Sequence, residues 1–215
     1  MDRSTHWEEV YRQKAVTSVS WYRPHLELSL ELIEREARSK QAAILDIGGG
    51  ASTLVDDLLL AGYSDIAVLD IAESALTAAR NRLGGEAGRV TWIPADFLEA
   101  QLEERRYDVC HDRAVFHFLT APEDKARYFD QVERILRPDG TLVLATFARD
   151  GPERCSGLTV SRYDEEMLCG AAGSRFQLIE SKQENHRTPA GQTQAMMYFV
   201  LRRTHHRLRG EAAAG

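Results

Sequence analysis

Hydrophobic and polar positions along the chain switch repeatedly between two periods. Leu26, Leu30, Ile33 and Ala37 recur at helical spacing with charges between them, and Pro24 stands just ahead, near the first turn of the helix they predict. Short apolar runs then appear at Ala42 to Ile47, Ile66-Ala67-Val68-Leu69, Val90-Thr91-Trp92-Ile93, Tyr107-Asp108-Val109-Cys110 and Thr141 to Phe147, each read as a buried strand. Between them, helical stripes run through Leu54, Val55, Leu58 and Leu59, through Ala72, Leu76, Ala79 and Leu83, and through Ala126, Phe129, Val132 and Leu136. These stripes stop at Gly62, at Gly84-Gly85 and at the turn Arg137-Pro138-Asp139-Gly140, residues that end helices. Strands alternating with helices predict a doubly wound α/β domain with helices on both faces of a mostly parallel sheet. Two closing strands, Phe176 to Glu184 and Ala195 to Arg202, complete the pattern.

The first strand meets three glycines in Ile44-Leu45-Asp46-Ile47-Gly48-Gly49-Gly50-Ala51-Ser52. A strand that turns at glycines into a helix is the cofactor corner of such a sheet, because a side chain there would keep the backbone from closing on a ligand. The second strand ends on Asp70, twenty residues after Gly50, the spacing of an acid that accepts hydrogen bonds from two ribose hydroxyls. The plainer alternative for Asp70 is an N-cap for the next helix. Asp96-Phe97 after the third strand can bond an adenine amino group and cover its ring, although Phe97 serves equally well as core.

Composition narrows what this corner belongs to. At 215 residues, 43% hydrophobic and 28% charged, the chain suits one globular core, and no linker divides it. A net charge of -6 argues against a dedicated nucleic-acid binder and leaves small molecules or proteins as partners. The opening residues are polar and no run is long enough to span a membrane, so the expected setting is cytoplasmic. Cys110, Cys155 and Cys169 are odd in number and lack zinc spacing, so neither a disulfide framework nor a metal site is indicated.

Candidate chemistry gathers at strand ends and loops. Trp7 and Tyr11 read as packing, whereas Trp21, Tyr22 and Arg23 can stack on a cofactor and bind its carboxylate. His111, Asp112, Arg113 and His117 follow the fourth strand, where ligands of parallel sheets bind, and form the candidate reaction face; the alternative is an Asp112–Arg113 ion pair with two ordinary histidines. The long loop Ala148 to Tyr163 reads as a lid, which makes Cys155, Arg162 and Tyr163 candidate substrate contacts. If the first closing strand runs parallel to the others, its turn brings His186 and Gln194 to the same edge. The basic stretch from Arg202 to Arg209 reads as a solvated end, and Gly210 to Gly215 as disordered.

The order of elements, the Asp-x-Gly-x-Gly corner, Asp70, Ala95-Asp96-Phe97 and Leu136-Arg137-Pro138-Asp139-Gly140 together resemble the class I S-adenosylmethionine-dependent methyltransferases, over nearly the whole chain from Ala42. The opening Trp7, Tyr11 and Trp21-Tyr22 resembles a subgroup with the elongation-factor lysine methyltransferases, and small bacterial thiol and small-molecule methyltransferases open similarly. The resemblance implies a Rossmann-like, three-layer α/β/α fold with a seven-stranded sheet whose last strand is antiparallel. It divides the chain into a cap segment and helix over 1–41 and a methyltransferase domain over 42–209. It departs at Asp139, where the family usually has glycine, and lacks the Asn/Asp-Pro-Pro-Tyr motif of nucleobase and glutamine amino methylation.

Residue by residue, the resemblance implies S-adenosylmethionine with its methionine part along Asp46, Gly48, Gly49 and Gly50, ribose on Asp70 beside Ile71, and adenine by Asp96 and Phe97. His111 and Arg113 would line the sulfonium end, with Trp21, Tyr22 and Arg23 closing over it. The expected acceptor is a small molecule, a thiol or other soft nucleophile, with His111, His117 or His186 as base for an amine or hydroxyl. The expected state is a monomer or weak homodimer. Protein lysine is the alternative acceptor. An NAD(P)-dependent oxidoreductase would need a third glycine where Thr53 stands, and a non-catalytic nucleotide-binding module would be expected to lose Asp70 or the glycines.

Overall fold

The computed structural model describes residues 2–204, so the tail expectations from residue 205 on lie outside the described residues, whereas Arg202 and Arg203, expected in a solvated end, are half-buried in the last strand with Arg202 paired to Glu36. Seven strands form one sheet: β1 (Ala43–Ile47), β2 (Asp65–Asp70), β3 (Val90–Pro94), β4 (Tyr107–Arg113), β5 (Leu136–Phe147), β6 (Phe176–Arg187) and β7 (Thr193–Arg203). Their order is β3-β2-β1-β4-β5-β7-β6. Strands β1 to β5 pair in parallel, and β7 lies antiparallel between β5 and β6. The sheet is therefore the Rossmann-like seven-stranded one with an antiparallel last strand, and β6 runs parallel to β5. Its turn into β7 falls at the carboxyl ends of the parallel strands, the ligand edge of such sheets.

Alternate residues of the central strands feed two cores, as the pleat requires. Leu45, Ile47, Cys110, Leu142 and Leu144 meet Tyr128, Phe129 and Val132 of α5 (Pro122–Ile135) and Leu168 of α6 (Glu165–Ala172). Ile44, Val109 and Val143 meet α2 (Glu27–Glu36) and α3 (Leu54–Leu60), while α4 (Glu73–Leu83) sends Leu76 to the same side. On α2 the fully inward residues are Leu32 and Ile33, with Leu28 beside them, so the stripe expected through Leu30 is turned and Leu30 sits at its margin. Burying each such side chain stabilises the fold by about 1.5–3 kcal/mol.

Four features depart from the pattern. Helix α1 (Arg3–Gln13), capped by the Asp2 carboxylate on the Thr5 N–H, has no buried residue and so no stripe to betray it. Helix α6 starts where Asp164 caps the Met167 N–H and is short. The loop from Ala148 to Tyr163 holds a hairpin that pairs Arg154–Cys155 with Leu158–Thr159 across Ser156 and Gly157, both at positive φ, a mirror-image turn. Strand β5 begins already at Leu136, with a register shift opposite β4 and Asp139 at φ +61, the left-handed region that glycine occupies most easily. Among the described residues no helix is long and apolar enough to cross a membrane.

Candidate active site

The corner after β1 is tied to the end of β2, because the Gly48 and Gly49 N–H groups both donate to the Leu69 carbonyl at 2.7 and 3.1 Å. Gly48 has φ +68, and a Cβ added to it would sit inside the Val115 side chain. One added to Gly49 would strike the Asp46 carboxylate, and one on Gly50 (φ +48) would lie 2.8 Å from Asp70 Oδ2 and 2.9 Å from Tyr11 Oη. All three positions thus exclude a side chain, and the corner is a cradle of backbone at the mouth of the sheet.

Asp46 is buried and accepts from His111 Nδ1 at 2.7 Å; His111 Nε2 meets Ser29 Oγ at 3.0 Å. Asp70 is buried as well. Its Oδ1 accepts from the Ala72 N–H at 2.8 Å in a local turn ahead of α4, whose N-cap is Ala72 without a side-chain cap bond, so Asp70 is not the N-cap. Its Oδ2 faces Gly50. Burial, followed by the nearby charges of Asp46 and Glu8, raises its pKa to about 7. Asp96 turns Oδ1 to the Leu98 N–H at 2.9 Å and Oδ2 toward Arg3 at 3.7 Å, while Phe97 packs its ring 5.2 Å from that of Tyr128.

These groups surround two clefts that meet. The larger, about 1020 Å³ counted to its open mouth, takes Gly48, Asp70, Ile71, Asp96 and Phe97 at the ends of β1 to β3. The same cleft continues past β4 to Arg113, Phe118, Phe147, Cys155, His186, Gln194 and Met196. The smaller, about 510 Å³, lies against Tyr22, Arg23, Asp46, Gly49 and His111. Tyr11, Trp21, Gly48 and Arg113 line both and mark their junction. A long ligand with a nucleoside at one end and an amino acid at the other fits this two-part shape, with the backbone cradle between.

On the far side of β4, Arg113 donates from Nε to Tyr198 Oη at 3.1 Å and from Nη1 to the Trp21 carbonyl at 3.0 Å. Tyr198 Oη lies 3.4 Å from Ser29 Oγ and 3.5 Å from Glu184 Oε2, so a buried chain of hydrogen bonds connects Asp46, His111, Ser29, Tyr198 and Arg113. His186 is fully buried and its Nε2 donates to the Ser20 carbonyl at 2.7 Å. That bond leaves Nδ1 as the unprotonated nitrogen, and Nδ1 has no partner. Burial lowers the His186 pKa, with the Ser20 bond opposing and Arg113 assisting. Cys155 is also buried, which raises its thiol pKa and keeps it protonated.

Several expected residues stand elsewhere. His117 is fully buried off both clefts, between Phe118 and Phe147 with ring centroids at 4.5 and 4.7 Å, and burial lowers its pKa to about 3. Its placement follows from lying in a short helical turn just past β4, where the chain dives back into the core. Arg162 points at the Gly151 carbonyl and Glu153, and Tyr163 belongs to the core beside Phe116; neither lines a cleft. Arg23 lines the smaller cleft but is paired with Glu184 at 2.5 Å and Glu27 at 3.0 Å, which uses the charge expected for a carboxylate. His111 lies in the smaller cleft with both nitrogens occupied, so it braces Asp46. The Asp112–Arg113 ion pair of the alternative reading does not form. Asp112 accepts from Tyr128 Oη and from the Val115 and Phe116 N–H groups, and burial raises its pKa to about 6.

Sequence reading missed Ser29, Tyr198, Phe118, Phe147 and Met196. Tyr198 carried a weak signal, a hydroxyl inside an apolar strand; the others read as ordinary core. Trp7 and Tyr11, read as packing, stand on the cleft wall, with Trp7 edge-on to Trp21 and Phe118 at 5.8 and 5.0 Å.

Comparison with known proteins bears on this geometry. A family model described as a methyltransferase domain matches residues 44–140. The chain is 31% identical over 120 residues to EEF1A lysine methyltransferase 2 of Danio rerio, covering 53% of this chain and 52% of that protein. It is 26% identical over 138 residues to the eEF1A lysine and N-terminal methyltransferase of Mus musculus, covering 64% of this chain and 19% of that protein. The match thus spans about half of one relative and a fifth of the other. In fold it is similar to the 1,6-didemethyltoxoflavin-N1-methyltransferase of Burkholderia thailandensis, solved with S-adenosylhomocysteine bound, at a TM-score of 0.68 and 21% identity over 94% of this chain and 84% of that one.

Proposed function

The chain carries a class I S-adenosylmethionine-dependent methyltransferase domain, and on that premise we propose that the protein methylates a small-molecule acceptor bound in the apolar half of the larger cleft. S-adenosylmethionine, when bound, supplies a methyl group on a sulfonium. Asp46 and the Gly48–Gly49 backbone hold its amino-acid end in the smaller cleft, Asp70 the ribose and Asp96 with Phe97 the adenine. The junction at Tyr11, Trp21, Gly48 and Arg113 then faces the acceptor half. Collinear positioning of acceptor and methyl carbon carries most of the rate gain, and His186 Nδ1 takes the acceptor proton where one must leave.

The observation behind a small acceptor is the character of that half. Phe147 and Met196 in its walls are buried and Trp7, Trp21 and Phe118 half-buried, its fixed charge is the Arg113 guanidinium, and the cleft's carboxylates, Asp70 and Asp96, stand on the cofactor side. A protonated lysine entering there would meet the like charge of Arg113, and Glu184, the acid whose charge also reaches His186, is taken up by Arg23. Lysine remains the second reading because the relatives named above are lysine methyltransferases. A cytoplasmic setting accords with three free cysteines. Release of S-adenosylhomocysteine across thiols, phenols, amines, carboxylates and lysine peptides tests the reading. Turnover on small acceptors is expected, and turnover with protein or lysine peptide alone overturns it.

A further inference from the structure

Among the described residues, nine buried side-chain polar atoms lack a hydrogen-bond partner, and those belonging to residues on the wall of the larger cleft are Arg113 Nη2 and His186 Nδ1. Buried polar groups are ordinarily satisfied, so a charged donor and a lone-pair acceptor left without partners just beneath one wall are groups that a ligand satisfies once the side chains over them give way. Neither is loosely held. Tyr198 and the Trp21 carbonyl fix the other edges of the guanidinium, and Ser20 fixes the imidazole tautomer with its lone pair on Nδ1. The carbonyls that hold them belong to adjacent residues, Ser20 for His186 and Trp21 for Arg113, which sets the two side by side.

A guanidinium whose Nε and Nη1 meet neutral oxygens and whose Nη2 has no partner calls for an anion, and a carboxylate oxygen matches that single open nitrogen. Flat aromatic walls, Trp7, Trp21, Phe118 and Phe147, call for a planar body. A lone pair on Nδ1 calls for a hydrogen to accept. We propose that the methyl acceptor is an aromatic acid whose carboxylate docks on Arg113 Nη2 and whose hydroxyl or thiol donates to His186 Nδ1. This rests on the cleft being the methyl-transfer site. In the step, the O–H or S–H proton passes to Nδ1 and the freed pair on that oxygen or sulfur forms the bond to the methyl carbon. The carbon–sulfonium bond breaks, its electron pair stays on sulfur, and a neutral thioether remains. The imidazolium later returns its proton to solvent. Arg113 takes no part in the bond changes; it selects and orients.

The test is calorimetric titration of protein saturated with S-adenosylhomocysteine, using ortho, meta and para hydroxybenzoates and mercaptobenzoates, each beside its benzamide. At least one acid is expected to bind about tenfold tighter than its amide, the gain typical of one charge-assisted contact. Arg113→Gln should erase that preference and Arg113→Lys should keep part of it. The comparison of acid with amide on the unaltered protein stands even if a variant fails to fold. Equal binding of acid and amide, a preference that survives Arg113→Gln, or no binding of any member of the series overturns the proposal. So does a methyl ester as the product of turnover with S-adenosylmethionine, which would make the carboxylate the nucleophile, or an Arg113→Gln variant that loses S-adenosylhomocysteine affinity instead of acid preference. Failure of the unaltered protein to bind S-adenosylhomocysteine is a separate result, and it overturns the methyltransferase reading together with the acid built on it.

Discussion

The proposed cofactor side of the cleft takes Asp46, Gly48, Asp70 and Asp96 from the ends of three neighbouring parallel strands, each within a few residues of its own strand and turn. On the proposed acceptor side, Arg113 comes from β4, Cys155 from a hairpin, His186 and Gln194 from the paired ends of β6 and β7, and Trp7 and Trp21 from the start of the chain. One side is written by local backbone rules and the other by long-range assembly. The His186 ring is held by a carbonyl 166 residues away, and Trp21 by a guanidinium 92 residues away. Damage to the first should therefore remove the cofactor, and damage to the second should spare it.

The largest expected effect is on the cofactor side. Gly48→Ala forces a side chain into the left-handed region, at about 1–2 kcal/mol, and against Val115, at about 1–3 kcal/mol. Urea denaturation should show a loss of about 2–5 kcal/mol, and titration should find S-adenosylhomocysteine binding gone. A variant that binds normally would mean the corner is not the cradle.

His186→Gln attacks the other side. Loss of a general base lowers kcat by about a hundredfold or more on an O–H acceptor, while S-adenosylhomocysteine affinity stays within about twofold because the ring lies outside the cofactor half. His111→Ala should do the reverse. It leaves the Asp46 carboxylate buried without its partner, so stability falls by about 1–3 kcal/mol and cofactor affinity falls with it. If the two histidines instead behaved alike, the division of the cleft would fail.

This contrast also explains what the sequence could and could not announce. The strands, the helices between them and the glycine corner follow from period-two and period-3.6 patterning and from turns that glycine allows, all readable in short windows, whereas the antiparallel last strand comes from the family resemblance. Ser29, Tyr198 and Glu184 form their contacts only once α2, β6 and β7 are stacked beside β4, and nothing local marks them. Arg162 and Tyr163 looked like site residues because they sit in a long loop, yet that loop folds back, and the Tyr163 N–H bonds to the Phe147 carbonyl.

A smaller effect comes from pH. The Asp70 pKa of about 7 lies above the ordinary carboxylate value of about 3.9, so folding favours its protonated form. Its contribution to the stability of the cofactor-free protein is present at low pH and lost as pH rises from about 4 through about 7. Asp112, at about 6, acts in the same direction. Ribose hydroxyls donate to the ionised carboxylate, so S-adenosylhomocysteine affinity should run the opposite way, about tenfold weaker at pH 6 than at pH 8. Asp70→Asn should bind weakly with a flat profile. A profile unchanged in that variant would take Asp70 out of the site.

The smallest effect concerns His117, which the sequence puts beside the acceptor groups and the fold puts in the core. Both its nitrogens are buried without partners between two phenylalanines, and burial holds its pKa at about 3. The unfolded ring, near 6.5, protonates first as pH falls, so the folded state loses stability through that window as it nears its own pKa. His117→Phe removes two unsatisfied atoms and keeps a ring of similar shape, which should stabilise the fold by about 1 kcal/mol. That corresponds to a rise of about 2–4 °C in Tm for a chain of this size, larger at pH 5.5 than at pH 8, with kcat unchanged. A stable variant with normal cofactor affinity and lost methyl transfer would return His117 to the acceptor side, and the boundary between the two halves would have to be redrawn through the turn after β4.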